Sequence, residues 1–195
     1  MTDLPPTTCD QHADVLVVRA RVEREAFGKL YDMTYPPVFQ YCLRRTGNRS
    51  VAEDIISTVF LNVAGNISHF AGVTFEEFRR WIFTIATNEI NADSRKTMRR
   101  KTLLEEAENS GQLRAHVCVE GSDTHDKNIE TDSLQTAILK LSDRAQSIIT
   151  MRYFSGLSYE TIALILNISV GAARTASSRA IEELRRELGN NYELR

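Results

Sequence analysis

Two capping serines, with an asparagine just before the second, restrict the stretch Leu141–Leu188 more than any other feature restricts the chain. Gly156-Leu157-Ser158-Tyr159-Glu160-Thr161-Ile162-Ala163 opens one short helix, Leu166-Asn167-Ile168-Ser169 forms a tight turn, and Val170 opens a longer helix. The hydroxyls of Ser158 and Ser169 can each accept an orphan backbone N–H from the turn that follows. Asn167 suits the left-handed residue that ends the first helix, because a short polar side chain tolerates positive φ. Ile162, Ile165, Leu166, Ile168 and Ala173 are spaced to join the two helices. Arg174, Thr175, Ser178 and Arg179 then share the outer face, at i, i+1, i+4 and i+5. Arginines beside hydroxyl groups at the front of such a helix can read base edges and phosphates in a major groove. The spacing predicts a helix-turn-helix whose second helix contacts DNA.

The net charge of −2 over 195 residues argues at first against nucleic acid. Its distribution reverses that reading. Arg95, Lys96, Arg99, Arg100 and Lys101 fall together with no acid among them. Thr102–Gln135 carries Glu105, Glu106, Glu108, Glu120, Asp123, Asp126, Glu130 and Asp132 against only Arg114 and Lys127. Basic stretches are thus segregated from an acidic connector. The basic run is also what a helix C-terminus favours, at ~0.3–1 kcal/mol per cation.

Helical periodicity extends over most of the chain, and period-two alternation is absent. The expected class is all-α: two small helical domains joined by a flexible acidic linker. Residues 1–9 read as a disordered tail, 10–102 as the first domain, 103–130 as the linker, 131–188 as the second domain and 189–195 as a tail. In the first domain, apolar spacing predicts a helix from Asp10 to Met33, a break at Tyr35-Pro36-Pro37, and a helix over Pro37–Arg45 closed by Gly47-Asn48. Ser50 and Glu53 form one capping box and Thr74 and Glu77 another. The first starts a helix to about Ile67 with Ile55, Ile56, Val59, Phe60 and Val63 inward. The second starts a long helix through Phe78, Trp81, Ile82, Ile85 and Ile90 to the basic run, which Leu103–Ala107 can prolong. A coil of ~28 residues has a root-mean-square span of ~30 Å and can stretch to ~90 Å.

Cys9, Cys42 and Cys118 are scattered, which suits a reducing cytoplasm and gives no disulfide framework. No signal peptide and no membrane-spanning run are expected. His116, Cys118 and His125 match no zinc spacing, and no nucleophile–base pair, phosphate loop or paired metal carboxylates is present. Neither a metal, nor a cofactor, nor enzymatic activity is expected.

In the first domain, Phe27-Gly28-Lys29-Leu30-Tyr31, Ala52-Glu53-Asp54-Ile55, Val59-Phe60-Leu61 and Phe78-Arg79-Arg80-Trp81-Ile82-Phe83-Thr84-Ile85-Ala86-Thr87-Asn88 precede the basic run. Leu141-Ser142-Asp143-Arg144, Met151-Arg152-Tyr153, Gly156-Leu157-Ser158-Tyr159-Glu160 and Ile168-Ser169-Val170-Gly171 follow in the second. In this order the chain resembles bacterial RNA polymerase sigma factors, specifically the extracytoplasmic-function (ECF) group of the sigma-70 family. The resemblance covers about Asp14–Lys101 and Leu134–Leu188.

The resemblance implies regions 2 and 4 of a sigma factor, with core RNA polymerase and promoter DNA as partners. It implies core-polymerase docking through Asp54, Phe60 and Asn62, with Phe60 either in the contact or supporting it from the core. Asn88, Arg95, Lys96, Arg99 and Arg100 would read and help melt the −10 element. Arg174, Thr175, Ser178 and Arg179 would read the −35 element. It further implies an anti-sigma protein as partner, and a protein that is monomeric when free and not inserted in a membrane. The chain departs from the family pattern at Ser57, Thr58 and Ala64 on the docking helix, and at Ala172, Ala173 and Ala176 on the recognition helix. Two other functions fit parts of the sequence: a free-standing helix-turn-helix regulator, and a degenerate sigma that docks without opening promoters.

Overall fold

The computed structural model describes residues 8–109 and 129–192. Among the described residues, eight α-helices form two bundles: α1 (Thr8–Arg19), α2 (Arg24–Thr46), α3 (Arg49–Asn66) and α4 (Phe75–Asn109) in the first, and α5 (Ile129–Lys140), α6 (Asp143–Ile149), α7 (Tyr159–Leu166) and α8 (Val170–Tyr192) in the second. A 3₁₀ turn, Ile67–His69, follows α3, and a wide π turn, Thr150–Phe154, follows α6. No strand occurs among the described residues, as the periodicity predicts.

The helix ends show which local signals won. The helix expected over Asp10–Met33 is divided at residues 20–23, where the Val22 and Glu23 N–H groups both return to the Arg19 carbonyl. The expected break at Pro36-Pro37 does not occur, and α2 runs straight through both prolines. They remove N–H bonds to the carbonyls of Asp32 and Met33, which belong to exposed residues whose carbonyls water can serve. Burial of Leu30, Val38, Tyr41 and Cys42 on one face outweighs that loss. Gly47 closes α2 at φ 65°, with its N–H donating to the Leu43 carbonyl at 2.9 Å. Helix α3 begins two residues earlier than expected, since Asn48 rather than Ser50 supplies the cap: Asn48 Oδ1 accepts from Val51 N at 3.1 Å. The Thr74–Glu77 capping box forms as predicted. Thr74 Oγ1 accepts from Glu77 N at 3.2 Å, and Glu77 Oε2 accepts from Thr74 N at 3.0 Å. Those bonds hold the Glu77 carboxyl below its ordinary pKa, the Thr74 backbone N–H first among them.

Helix α4 continues to Asn109, past the expected domain boundary at 102, and α8 continues to Tyr192, past 188. Most of the expected linker, with His116, Cys118 and His125, lies outside the described residues.

One apolar core crosses from bundle to bundle. Leu30, Val38, Tyr41, Val59, Phe78, Ile82 and Phe83 of the first bundle cluster with Ile148, Met151, Leu157, Ile162 and Ile165 of the second. Fully burying side chains of this size is worth ~1.5–3 kcal/mol each. A second cluster, Ala137, Ile138, Leu141, Ile149, Ala180 and Leu184, ties α5 and α6 to α8. The two bundles therefore lie against one another.

Candidate nucleic-acid interface

The helix-turn-helix is built by the expected caps. Gly156, at φ 67°, reverses the chain after the π turn, and Leu157 N donates to the Met151 carbonyl at 2.9 Å. Ser158 Oγ accepts from Thr161 N at 3.0 Å and Ser169 Oγ accepts from Ala172 N at 3.1 Å. Asn167 ends α7 in the left-handed region, at φ 51° and ψ 54°. Ala173, Ser177, Ala180 and Leu184 turn inward along α8. Arg174, Thr175, Ser178 and Arg179 are all exposed on the other side. Tyr159 OH donates to Ser177 Oγ at 3.0 Å and fixes the crossing of α7 and α8. Arg174 Nη2 lies 2.9 Å from Glu160 Oε1, so an acid on α7 orients the leading arginine of the recognition helix. Gly171, Ala172, Thr175 and Ser178 give the same face low relief, which lets a helix approach groove walls closely.

The second basic surface lies on α4. This helix of 35 residues is ~52 Å long at 1.5 Å per residue. Asn88, Arg95, Lys96, Arg99 and Arg100 are all exposed. Residues 88, 95 and 99 stand at i, i+7 and i+11, within one narrow sector of the helix. Because α4 continues to Asn109, the run at 95–101 ends two turns before its terminus. A macrodipole effect confined to the last turn does not account for it.

Beside α4 is an aromatic cleft that the sequence reading missed. Its volume is about 370 Å³, and Asn62, Asn66, His69, Phe70, Trp81 and Ile85 line it. Phe70 stacks on Trp81 with ring centroids 4.6 Å apart and planes 15° from parallel. Phe78 meets Trp81 edge-on at 6.0 Å and is itself buried, as is Phe83. Trp81 is half-buried and borders the cleft. The available signal was Asn62 and Asn66 at i, i+4, followed by His69-Phe70 just ahead of the Thr74 cap. An aromatic wall with amide and imidazole groups at the rim suits a planar, hydrogen-bonding ring.

On α3, Asp54 and Asn62 are exposed as expected. Phe60 is not a surface contact: it is 8% exposed, with its ring 4.5 Å from Tyr31 and 5.9 Å from Tyr35. The inward apolar periodicity of α3 places it beneath the surface, where it supports the neighbouring face. Ser57 Oγ donates to the Glu53 carbonyl at 2.7 Å and Thr58 Oγ1 to the Asp54 carbonyl at 3.0 Å. Both hydroxyls thus serve their own helix, and the face is less charged than acids at 57 and 58 would make it.

Among the described residues no group of three or more His, Cys, Asp or Glu is placed to hold a metal ion. No helix among them is long and apolar enough to cross a membrane. Cys42 is buried in the first bundle, and burial pushes its thiol up to about 12.

The sequence profile of Sigma-70 region 2 matches residues 30–100, and that of Sigma-70, region 4 matches residues 131–184. The ECF RNA polymerase sigma factor SigW of Bacillus subtilis is 30% identical over 173 residues, covering 85% of this chain and 90% of that protein. The ECF RNA polymerase sigma factor BldN of Streptomyces coelicolor is 33% identical over 178 residues, covering 89% of this chain but 64% of that protein. Among solved structures, the sigma factor RpoE in complex with the anti-sigma factor NepR from Bartonella quintana aligns with a TM-score of 0.64 at 22% identity. That alignment covers 84% of this chain and 96% of the other, and it shows likeness of fold.

Proposed function

Since the chain belongs to the sigma-70 family, in its ECF group, we propose that it binds core RNA polymerase and directs it to promoters with distinct −10 and −35 elements. Residues 131–188 carry −35 recognition, with Arg174 and Arg179 contacting bases or phosphates and Thr175 and Ser178 lining the approach. Residues 10–102 carry core docking through the face bearing Asp54 and Asn62, which Phe60 supports from beneath. The same unit reads and helps melt the −10 element through Asn88, Arg95, Lys96, Arg99 and Arg100, with the Phe70–Trp81 cleft as the receptacle for an unstacked base. The chain acts in the cytoplasm, as a monomer when free, and contributes recognition rather than catalysis. An anti-sigma protein is its regulatory partner, as the RpoE–NepR complex shows for RpoE.

The observation that carries this reading is the pairing of two exposed basic surfaces in one chain, on the recognition helix and along α4. A free-standing regulator needs the first and leaves the second unexplained. Gel filtration with core polymerase, together with DNA-binding assays on the free chain, separates the two. Co-elution with core enzyme and weak DNA binding alone are expected. Tight binding without polymerase, by a symmetric dimer on half-sites ~34 Å apart, would overturn the proposal.

A further inference from the structure

Past Asp93, α4 leaves the core. Among its described side chains Ile90 is the last that is buried, and each residue from Ser94 to Leu103 is exposed. Within this exposed length stands Arg99-Arg100-Lys101-Thr102-Leu103. Thr102 is the one serine or threonine of the chain with arginines both three and two positions before it. That spacing, with an apolar residue directly after the acceptor, is the charge pattern that suits an arginine-directed protein kinase. The acidic cleft of such an enzyme pairs with both guanidinium groups while the acceptor hydroxyl meets the nucleotide. Thr102 Oγ1 donates to the Met98 carbonyl one turn back, at 3.2 Å, so the helix must open for the hydroxyl to be offered. The last turn of α4 carries Glu106 and Glu108 and no base, against the helix macrodipole. Exposed side chains before it and acids at its negative pole let this stretch open locally with little resistance.

Thr102 also shares the basic sector of α4. At ~100° per residue, positions 88, 95, 99 and 102 fall within ~60° of one another around the helix. Thr102 stands ~4.5 Å of rise beyond Arg99 and ~10.5 Å beyond Arg95. The screening length at physiological salt is ~8 Å, so a dianion at Thr102 acts strongly on Arg99 and partly on Arg95. Arg100 and Lys101, two and one positions before it, lie off that sector.

We propose that Thr102 is a phosphorylation site for an arginine-directed, ATP-dependent protein kinase, and that its phosphate turns off the −10 function of α4 while sparing core docking. In the modification Thr102 Oγ1 attacks the γ-phosphorus of ATP, and the bond from that phosphorus to the β–γ bridging oxygen breaks. ADP leaves, and the hydroxyl proton passes to the base of the kinase. The product carries about −1.5 to −2 charge. It pairs with the Arg99 guanidinium one turn away and repels the DNA phosphates that Arg95 and Arg99 would meet. A phosphate towards the C-terminal end of a helix also opposes the macrodipole, which loosens the end of α4 further. Asp54 and Asn62, the docking residues, lie on a different helix, α3. The −10 consequence rests on the promoter-reading proposal, whereas the acceptor assignment stands without it.

The test uses the full-length chain, ATP with magnesium, and the catalytic subunit of the cyclic-AMP-dependent protein kinase as the arginine-directed probe. One phosphate should be gained, placed at Thr102 by peptide mass mapping. Thr102→Ala should gain none, keep its helical circular dichroism and, as holoenzyme, bind DNA as the unmodified wild type does. Holoenzyme assembled with the phosphorylated chain is then titrated with a duplex containing a single-stranded bubble. Contacts to phosphate are insensitive to sequence, so no particular promoter is needed. Affinity should fall about tenfold or more at about 0.1 M salt, and the slope of log K against log salt should drop by about one to two. Co-elution with core polymerase should be unchanged, and Thr102→Glu should reproduce part of the loss. No phosphate at Thr102, or phosphate gained elsewhere in preference, would overturn the acceptor site. DNA binding equal to that of the unmodified chain would overturn the switch. Loss of core binding on phosphorylation would overturn the separation of DNA contact from docking. No core binding by any form would overturn the sigma-factor proposal and the switch with it, while phosphate at Thr102 would still support the acceptor assignment.

Discussion

Across the turn of the helix-turn-helix, Glu160 of α7 holds Arg174 of α8, with Oε1 2.9 Å from Nη2. Both side chains are well exposed, so the pair adds little to stability; its use is to aim a guanidinium. Arg174→Ala should relax preference within the −35 element and cost about 1–3 kcal/mol of discrimination where the contact is bidentate. Glu160→Gln should leave thermal stability nearly unchanged while altering −35 preference. Binding selection from randomised −35 sequences, by holoenzyme carrying each variant, reads both outcomes. A uniform loss over all sequences would make Arg174 a phosphate anchor.

Arg99 lies on the exposed basic sector of α4 and is expected to meet phosphate. Arg99→Ala should weaken promoter binding to a similar degree across sequences and lower the slope of log K against log salt by about one. Holoenzyme affinity measured at several salt concentrations checks it.

Phe60 and Asp54 both lie on α3, one buried and one exposed, and their roles differ. Phe60→Ala leaves a cavity against Tyr31 and Tyr35 and should cost ~3–5 kcal/mol of folding stability. Asp54→Ala removes an exposed carboxylate and should leave the urea midpoint in place while reducing retention of the chain by immobilised core polymerase.

The Glu77 cap gives stability a defined pH dependence. Its folded pKa lies below the ordinary value of 4.5, so the carboxylate form favours the fold. That contribution is complete above the ordinary value and is lost as pH falls through the lower, folded one. Glu77→Gln should therefore lower stability at neutral pH and leave less of it to be lost on acidification below about 4.5. Thermal melts of both proteins between pH 7 and pH 3 provide the comparison.

Most features fixed by neighbours in sequence were legible, and most of those fixed by distant packing were not. Ser158, Asn167, Ser169 and the Thr74–Glu77 box act within four residues, and each stands where its chemistry places it. Ser50 was a plausible cap, but Asn48 lies two residues earlier with an equally suitable side chain and takes the role. Pro36 and Pro37 read as a break because local rules count the lost hydrogen bonds. They omit the burial of Leu30, Val38 and Tyr41 that holds α2 continuous. Phe60 was legible as inward from its spacing, whereas its family position suggested contact. The Arg45–Gln146 bond joins residues 101 apart in sequence, and no local pattern could foretell it.

The most direct measurement is run-off transcription by bacterial core polymerase, with and without this chain, on DNA carrying the region upstream of its own gene. A transcript that requires the chain, and is lost when either the −10 or the −35 element is scrambled, is the expected result. Absence of a transcript together with failure to co-elute with core polymerase would contradict promoter initiation as its function.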